Sequence, residues 1–115
     1  MPGKLMLITK QWLGHAEPAD AEFGRKMLVK FFHTPEGTDD KPDVMCFYVE
    51  GVKVVCEGSP AISSLRALEE DGVEIASCQT CLDYYGLADK VTVGRISGMD
   101  AIVSLMTSAD VVITP

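Results

Sequence analysis

The stretch Val73-Glu74-Ile75-Ala76-Ser77-Cys78-Gln79-Thr80-Cys81-Leu82-Asp83-Tyr84-Tyr85-Gly86 joins two kinds of pattern without a gap. Val73 to Ser77 is short and mostly apolar, and Gly72 stands just before it, which predicts a buried strand. From Cys78 onward the pattern turns helical. Thr80 and Asp83 have the spacing of a capping box, and Gly86 suits the left-handed residue that closes a helix. A strand running straight into a helix is the βα unit of a parallel sheet.

The same alternation extends in both directions. Before Gly72 lies a helix that turns Ile62, Leu65 and Leu68 inward, with Ser59 as a candidate N-cap and Pro60 at its first position. Upstream of it, Val52 to Cys56 reads as a second short extended piece. Val44 to Val49 is nearly all apolar and reads as a central strand covered on both faces. The solvated connection Pro35 to Pro42 separates it from a helix that begins near Ala19 to Ala21 and lines up Phe23, Met27, Leu28 and Phe31. A loop, Thr9 to Asp20, leads back to the first strand, Leu5 to Ile8. Toward the carboxyl terminus follow an extended Lys90 to Val93, a Ser97/Asp100 capping pair and a helix showing Met99, Ile102, Val103 and Met106. A last strand covers Val111 to Thr114. The expectation is a single α/β domain over residues 1–115, three-layered, with a mostly parallel sheet and no internal repeat.

Composition narrows the function. With 10 Lys+Arg against 17 Asp+Glu the formal charge is −7, and no basic run offers phosphate neutralisation, so no nucleic-acid partner is expected. No apolar run approaches the roughly 20 residues that span a bilayer, and the apolar stretch after Lys4 is too brief for a secretory leader, so no membrane partner is expected either. The expected location is the cytoplasm. In that reducing compartment the four cysteines serve as core, catalytic or metal-binding groups rather than structural disulfides.

In parallel sheets the functional crevice lies outside the carboxyl ends of the strands, where Cys78 and Cys81 fall. A thiol there meets unpaired backbone N–H groups and the positive end of a helix dipole, which favour the thiolate and predict a lowered pKa. A Cys-x-x-Cys pair serves attack and resolution, or the carrying of a sulfur as a persulfide. A structural zinc needs four ligands, and neither His15 with His33 nor Cys46 with Cys56 supplies a second pair at ligand spacing, so no metal is expected. The loop Thr9 to His15 lacks the glycine arrangements that cradle phosphates, so no nucleotide cofactor is expected. Cys46 reads as core. Cys56 reads as a solvent-exposed bystander, or as a thiol nearing the crevice. His15 offers a base or cation near Cys78, or is a solvated loop residue; Lys10 offers charge for an anionic sulfur, or is a surface lysine. Tyr84 and Tyr85 either pack an interface or wall a pocket.

Several stretches together carry a family likeness: Gly51-Val-Lys; Gly58-Ser-Pro; Leu65-x-x-Leu68-x-x-x-Gly72-Val73-Glu-Ile75; Ser77-Cys78-x-Thr80-Cys81-Leu82-Asp83-Tyr84-Tyr85-Gly86-Leu87; and Ala109-Asp110-x-Val112-Ile113-Thr114. They resemble the DsrE/DsrF-like proteins, with the strongest similarity to the carboxyl-terminal domain of the YedF-type "sulfurtransferase-like selenium metabolism" proteins. The resemblance implies a flavodoxin-like fold, homo-oligomeric assembly and a place in a sulfur relay, with persulfide donor and acceptor proteins as partners. It puts the acceptor on Cys78, which with Gly86 fits the family's Cys-x7-Gly pattern, and makes Cys81 a second thiol. YedF-type proteins carry a TusA-type domain with a Cys-Pro motif. No Cys-Pro occurs here, so that domain is expected to be absent or to have been removed from this chain. The residues leave two other readings open: an oligomeric or adaptor domain with incidental cysteines, and a dithiol redox protein using Cys78 and Cys81.

Overall fold

Three strands of the sequence pattern sit side by side at the centre of the molecule: β1 (Lys4–Ile8), β2 (Val44–Phe47) and β3 (Glu74–Cys78). The computed structural model describes residues 3–15 and 17–115; Met1 and Pro2 of the amino-terminal stretch and Ala16 of the first loop lie outside the described residues. β4 (Arg95–Ser97) and β5 (Val111–Ile113) add the two edges, giving the order β4-β3-β2-β1-β5 with every neighbouring pair parallel. The α/β architecture read from the sequence is therefore present, with one five-stranded parallel sheet.

β1 to β4 step one way across the sheet and β5 returns beyond β1. Right-handed crossovers then put α1 (Ala21–His33), α2 (Ile62–Glu70) and α3 (Gln79–Tyr85) on one face and α4 (Met99–Ser108) on the other. Every residue of β2 is buried, as a parallel strand covered on both sides requires. Phe47 packs on Phe32 of α1 with ring centroids 6.3 Å apart. Among the described residues, no helix is long and apolar enough to cross a membrane.

Where structure and pattern differ, packing explains the difference. α1 buries Gly24, Leu28 and Phe32, a strict repeat of four, and leaves Phe23 65% exposed. The bare backbone at Gly24 lets its carbonyl accept the Leu13 N–H at 3.1 Å, which draws that side of the helix inward. Val52 to Cys56 is not extended: Val49–Val55 forms a 3-10 helix. Gly51 in that helix lies so close to the Ile8 carbonyl that a Cβ would collide with it, and this contact folds the chain back over the end of β1. Lys90 to Val93 is not a sheet strand either. Val91 makes an isolated antiparallel bridge to Cys56, and the chain joins the sheet only after Gly94, at φ +80°, packs against Ile75.

The helix ends divide the same way. Gly72 and Gly86 both take left-handed conformations, at φ +100° and +69°, and each closes its helix with paired bonds: Val73 N–H to Leu68 O at 3.0 Å, Leu87 N–H to Leu82 O at 2.8 Å. Neither expected capping pair forms a side-chain cap. α3 starts from Cys78 and α4 from Gly98, while Asp83 instead accepts a bond from Gln79 at 3.0 Å. Ser59 accepts the Ala61 N–H at 3.2 Å, one step before the helix, and Ala61 is the N-cap. Within α4 Ile102 is fully buried, but Met99 and Val103 are exposed.

Candidate functional site

Cys78 is the last residue of β3 and the N-cap of α3, so the strand-to-helix turn holds its side chain at the carboxyl edge of the sheet. It is fully buried. One turn on, Cys81 is half-buried, and its thiol interacts with that of Cys78; both are free cysteines. The pair expected from the spacing is thus brought together.

A third group completes the site from the neighbouring strand. Just past β2, the Val49 N–H donates to Cys81 Sγ at 3.1 Å. Val49 holds φ 53°, a left-handed conformation that costs a β-branched residue about 1–3 kcal/mol. What fixes it is the chain on either side: Tyr48 N–H binds Ile8 O at 3.1 Å, Gly51 N–H binds Tyr48 O at 3.0 Å, and Gly51 is pressed on β1. The amide donor escapes a reading of side-chain types, because it is backbone. Gly51 was its only sequence trace.

At Cys81 the electrostatics differ from the expectation of a lowered pKa. Burial pushes the Cys81 thiol above its ordinary value; the Val49 N–H pulls it down, and the Cys78 thiol adds to the rise. Desolvation is the largest of these influences and outweighs the Val49 N–H.

The other expected participants stand elsewhere. Cys46 is fully buried mid-strand in β2, with its thiol pushed up to about 11, chiefly by burial. Cys56 is buried, contrary to the exposed reading, and donates to Val52 O at 3.2 Å; burial and the Glu57 charge raise it. It lines a cleft of about 740 Å³ with Arg25, Lys53, Tyr85 and others, and neither Cys78 nor Cys81 lines that cleft. His15 is exposed, pairs with Glu17 at 3.1 Å and faces α1 across a smaller cavity with Phe23 and Met27. The Lys10 ammonium is held on the Gly14 carbonyl. Tyr84 is 83% exposed and meets the Tyr85 ring edge-on at 5.1 Å, while Lys53 sits 4.4 Å over Tyr85. One tyrosine therefore lies on the surface and the other walls a cleft. Ser77, beside Cys78 on β3, is fully buried, and its hydroxyl has no hydrogen-bond partner among the described residues. Also among them, no group of three or more His, Cys, Asp or Glu is placed to hold a metal ion.

Residues 29–115 match the model of the DsrE/DsrF-like family. The chain belongs to the DsrE/DsrF-like family. Three solved structures share the fold across nearly whole chains. The ychN protein from E. coli has 16% identity and a TM-score of 0.66, covering 100% of both chains. MTH1491 from Methanobacterium thermoautotrophicum has 18% identity and a TM-score of 0.68, covering 97% of each. BT1422 from Bacteroides thetaiotaomicron has 15% identity and a TM-score of 0.64, covering 98% of this chain and 95% of the other. The last two are described as proteins of unknown function. No curated protein gives a significant match. Both thiols of the site fall inside the DsrE/DsrF-like match, and the loop of Lys10 and His15 falls outside it.

Proposed function

We propose that this DsrE/DsrF-like protein works in a sulfur relay, carrying sulfane sulfur as a persulfide on Cys78 with Cys81 as its second thiol. The observation that carries this reading is the thiol pair at the carboxyl end of β3 with the Val49 N–H on Cys81 Sγ. In the relay a cysteine thiolate attacks the outer sulfur of a donor persulfide, the donor leaves as its thiolate, and the outer sulfur stays on the acceptor. A partner's thiolate later removes it by the same step. Alternatively the Cys81 thiolate attacks Cys78 Sγ, expels hydrosulfide and leaves a disulfide for an external dithiol to reduce. Burial of Cys78 suits a carrier, since water and stray thiols are kept from the cargo.

The similarity to YedF-type proteins suggests selenium as a second cargo, taken up by the analogous exchange. Donor and acceptor are protein partners in this reading, and a cytoplasmic location keeps both thiols reduced. Self-association is part of the proposal: β5 and α4 leave Val103, Val111, Val112 and Ile113 exposed, a strip that a second copy would cover.

Intact-mass measurement after exposure to a persulfide donor, followed by donor removal, tests the reading. The parent chain and Cys46→Ser are expected to retain one added sulfur that reductant removes, and Cys78→Ser to retain none. Loss of two protons in place of added sulfur would favour a dithiol redox role. An unchanged mass would leave the oligomeric binding domain as the better account.

A further inference from the structure

We infer that Cys81, not Cys78, is the thiol that meets the donor, and that sulfur passes inward from Cys81 to Cys78. The inference rests on the sulfur-relay reading and assigns its order of events. Cys78 is fully buried, so an external persulfide does not reach it in this conformation, whereas Cys81 is partly exposed and interacts with the Cys78 thiol. Cys81 also receives the Val49 N–H at 3.1 Å, a donor that favours the thiolate over the thiol. Exposed Val49 and Tyr84 provide apolar surface near this outer thiol, and Tyr84 stands one turn from it on α3.

The chemistry closes without an outside oxidant. The Cys81 thiolate attacks the outer sulfur of a donor R–S–SH; the donor's S–S bond breaks, R–S⁻ departs, and Cys81–S–SH forms. The Cys78 thiolate then attacks the same outer sulfur. A new bond joins it to Cys78, the bond to Cys81 breaks, and Cys81 is restored as thiolate. Each step moves one sulfur and one electron pair, with no net change in oxidation state. The cargo ends at the buried position, and the outer thiol is free for another encounter.

Rapid quenching with an alkylating agent during donor exposure, followed by peptide mapping of the added sulfur, separates this order from its alternatives. With Cys78→Ser the trapped sulfur is expected on Cys81, although it is not retained once donor is removed. Cys81→Ser, whose hydroxyl can still accept the Val49 N–H, is expected to load Cys78 at least about tenfold more slowly than the parent. Cys46→Ser, mid-strand in β2 and outside the pair, is expected to load at the parent's rate, with circular dichroism confirming the fold of all three. Loading of Cys81→Ser at the parental rate, in a parent that does load, would overturn the order and leave the relay standing. A parent that never loads would instead overturn the relay itself.

Discussion

β2 and β5 are built from similar residues and meet opposite environments. β2 reads Val-Met-Cys-Phe and is buried along its whole length, while β5 reads Val-Val-Ile and leaves its residues 47%, 45% and 38% exposed. β2 has a strand on each side, whereas β5 pairs only with β1. An apolar β-branched run thus specifies a strand, but its place in the sheet decides whether the run contributes to this molecule's core or is left for another surface. The thiols follow the same division, because Cys46 and Cys78 lie in or against the sealed centre and Cys81 sits at its margin.

The sharpest way to break the comparison is at its sealed side. Phe47→Ala removes a fully buried ring that packs on Phe32, so a loss of about 4 kcal/mol is expected in urea unfolding. A loss near that of an exposed residue would mean that the centre of the sheet is not what holds the fold. Next in size is Gly51→Ala, where the new methyl collides with the Ile8 carbonyl and the helix must lift from β1. We expect a cost of about 3 kcal/mol, together with slower sulfur loading as Val49 moves away from Cys81. Destabilisation without any change at Cys81 would show that Val49 is held by something other than the contact at Gly51.

These two residues also mark where the sequence is legible and where it is not. Gly72 and Gly86 announce their helix ends because a left-handed residue is a local demand. The βα turn at Cys78 is legible for the same reason, as a strand pattern that changes period in place. Val49–Val55 is not, because its β-branched residues favour a strand, and only the long-range contact of Gly51 with β1 makes them a 3-10 helix. The Val49 amide is invisible twice over, since it is a backbone donor and depends on that fold. Cys56 is one residue from a turn and looks exposed in sequence, yet its bridge to Val91 helps bury it. Phe23 shows the converse: its spacing fits the apolar face of α1, but the strict repeat of Gly24, Leu28 and Phe32 is the one that faces the sheet.

The margin and the centre should also differ in thiol reactivity. Because the Cys81 pKa is raised, its thiolate is scarcer at neutral pH than that of a free cysteine, and each pH unit below that pKa reduces it further. Alkylation of Cys81 is therefore expected to quicken about tenfold from pH 7 to pH 8 and to go on rising above pH 8. Cys46, raised to about 11 and fully buried, should stay unmodified throughout. Cys78→Ala removes an influence that raises Cys81, so the Cys81 profile should move to lower pH. A shift the other way would contradict the interaction of the two thiols. Mass mapping of the alkylated peptides reads all three outcomes.

The smallest expected effect bears most directly on what covers β5. Val112→Ala deletes two methyl groups from a side chain that is nearly half exposed, so an isolated chain should lose only about 0.5 kcal/mol. If a second copy seats on β5 and α4, the same methyls are buried in the assembly. Their loss should then grow with protein concentration, because a copy that binds only the folded state adds stability by mass action. Unfolding of the parent and of Val112→Ala, at low and at hundredfold higher concentration, distinguishes the cases. A constant small difference leaves β5 as an open edge, and self-association drops out of the functional proposal. A difference that widens with concentration, and that Val112→Asp abolishes along with any assembly seen by sedimentation, identifies the exposed edge as the counterpart of the buried centre: apolar surface closed by another molecule where β2 is closed by its own.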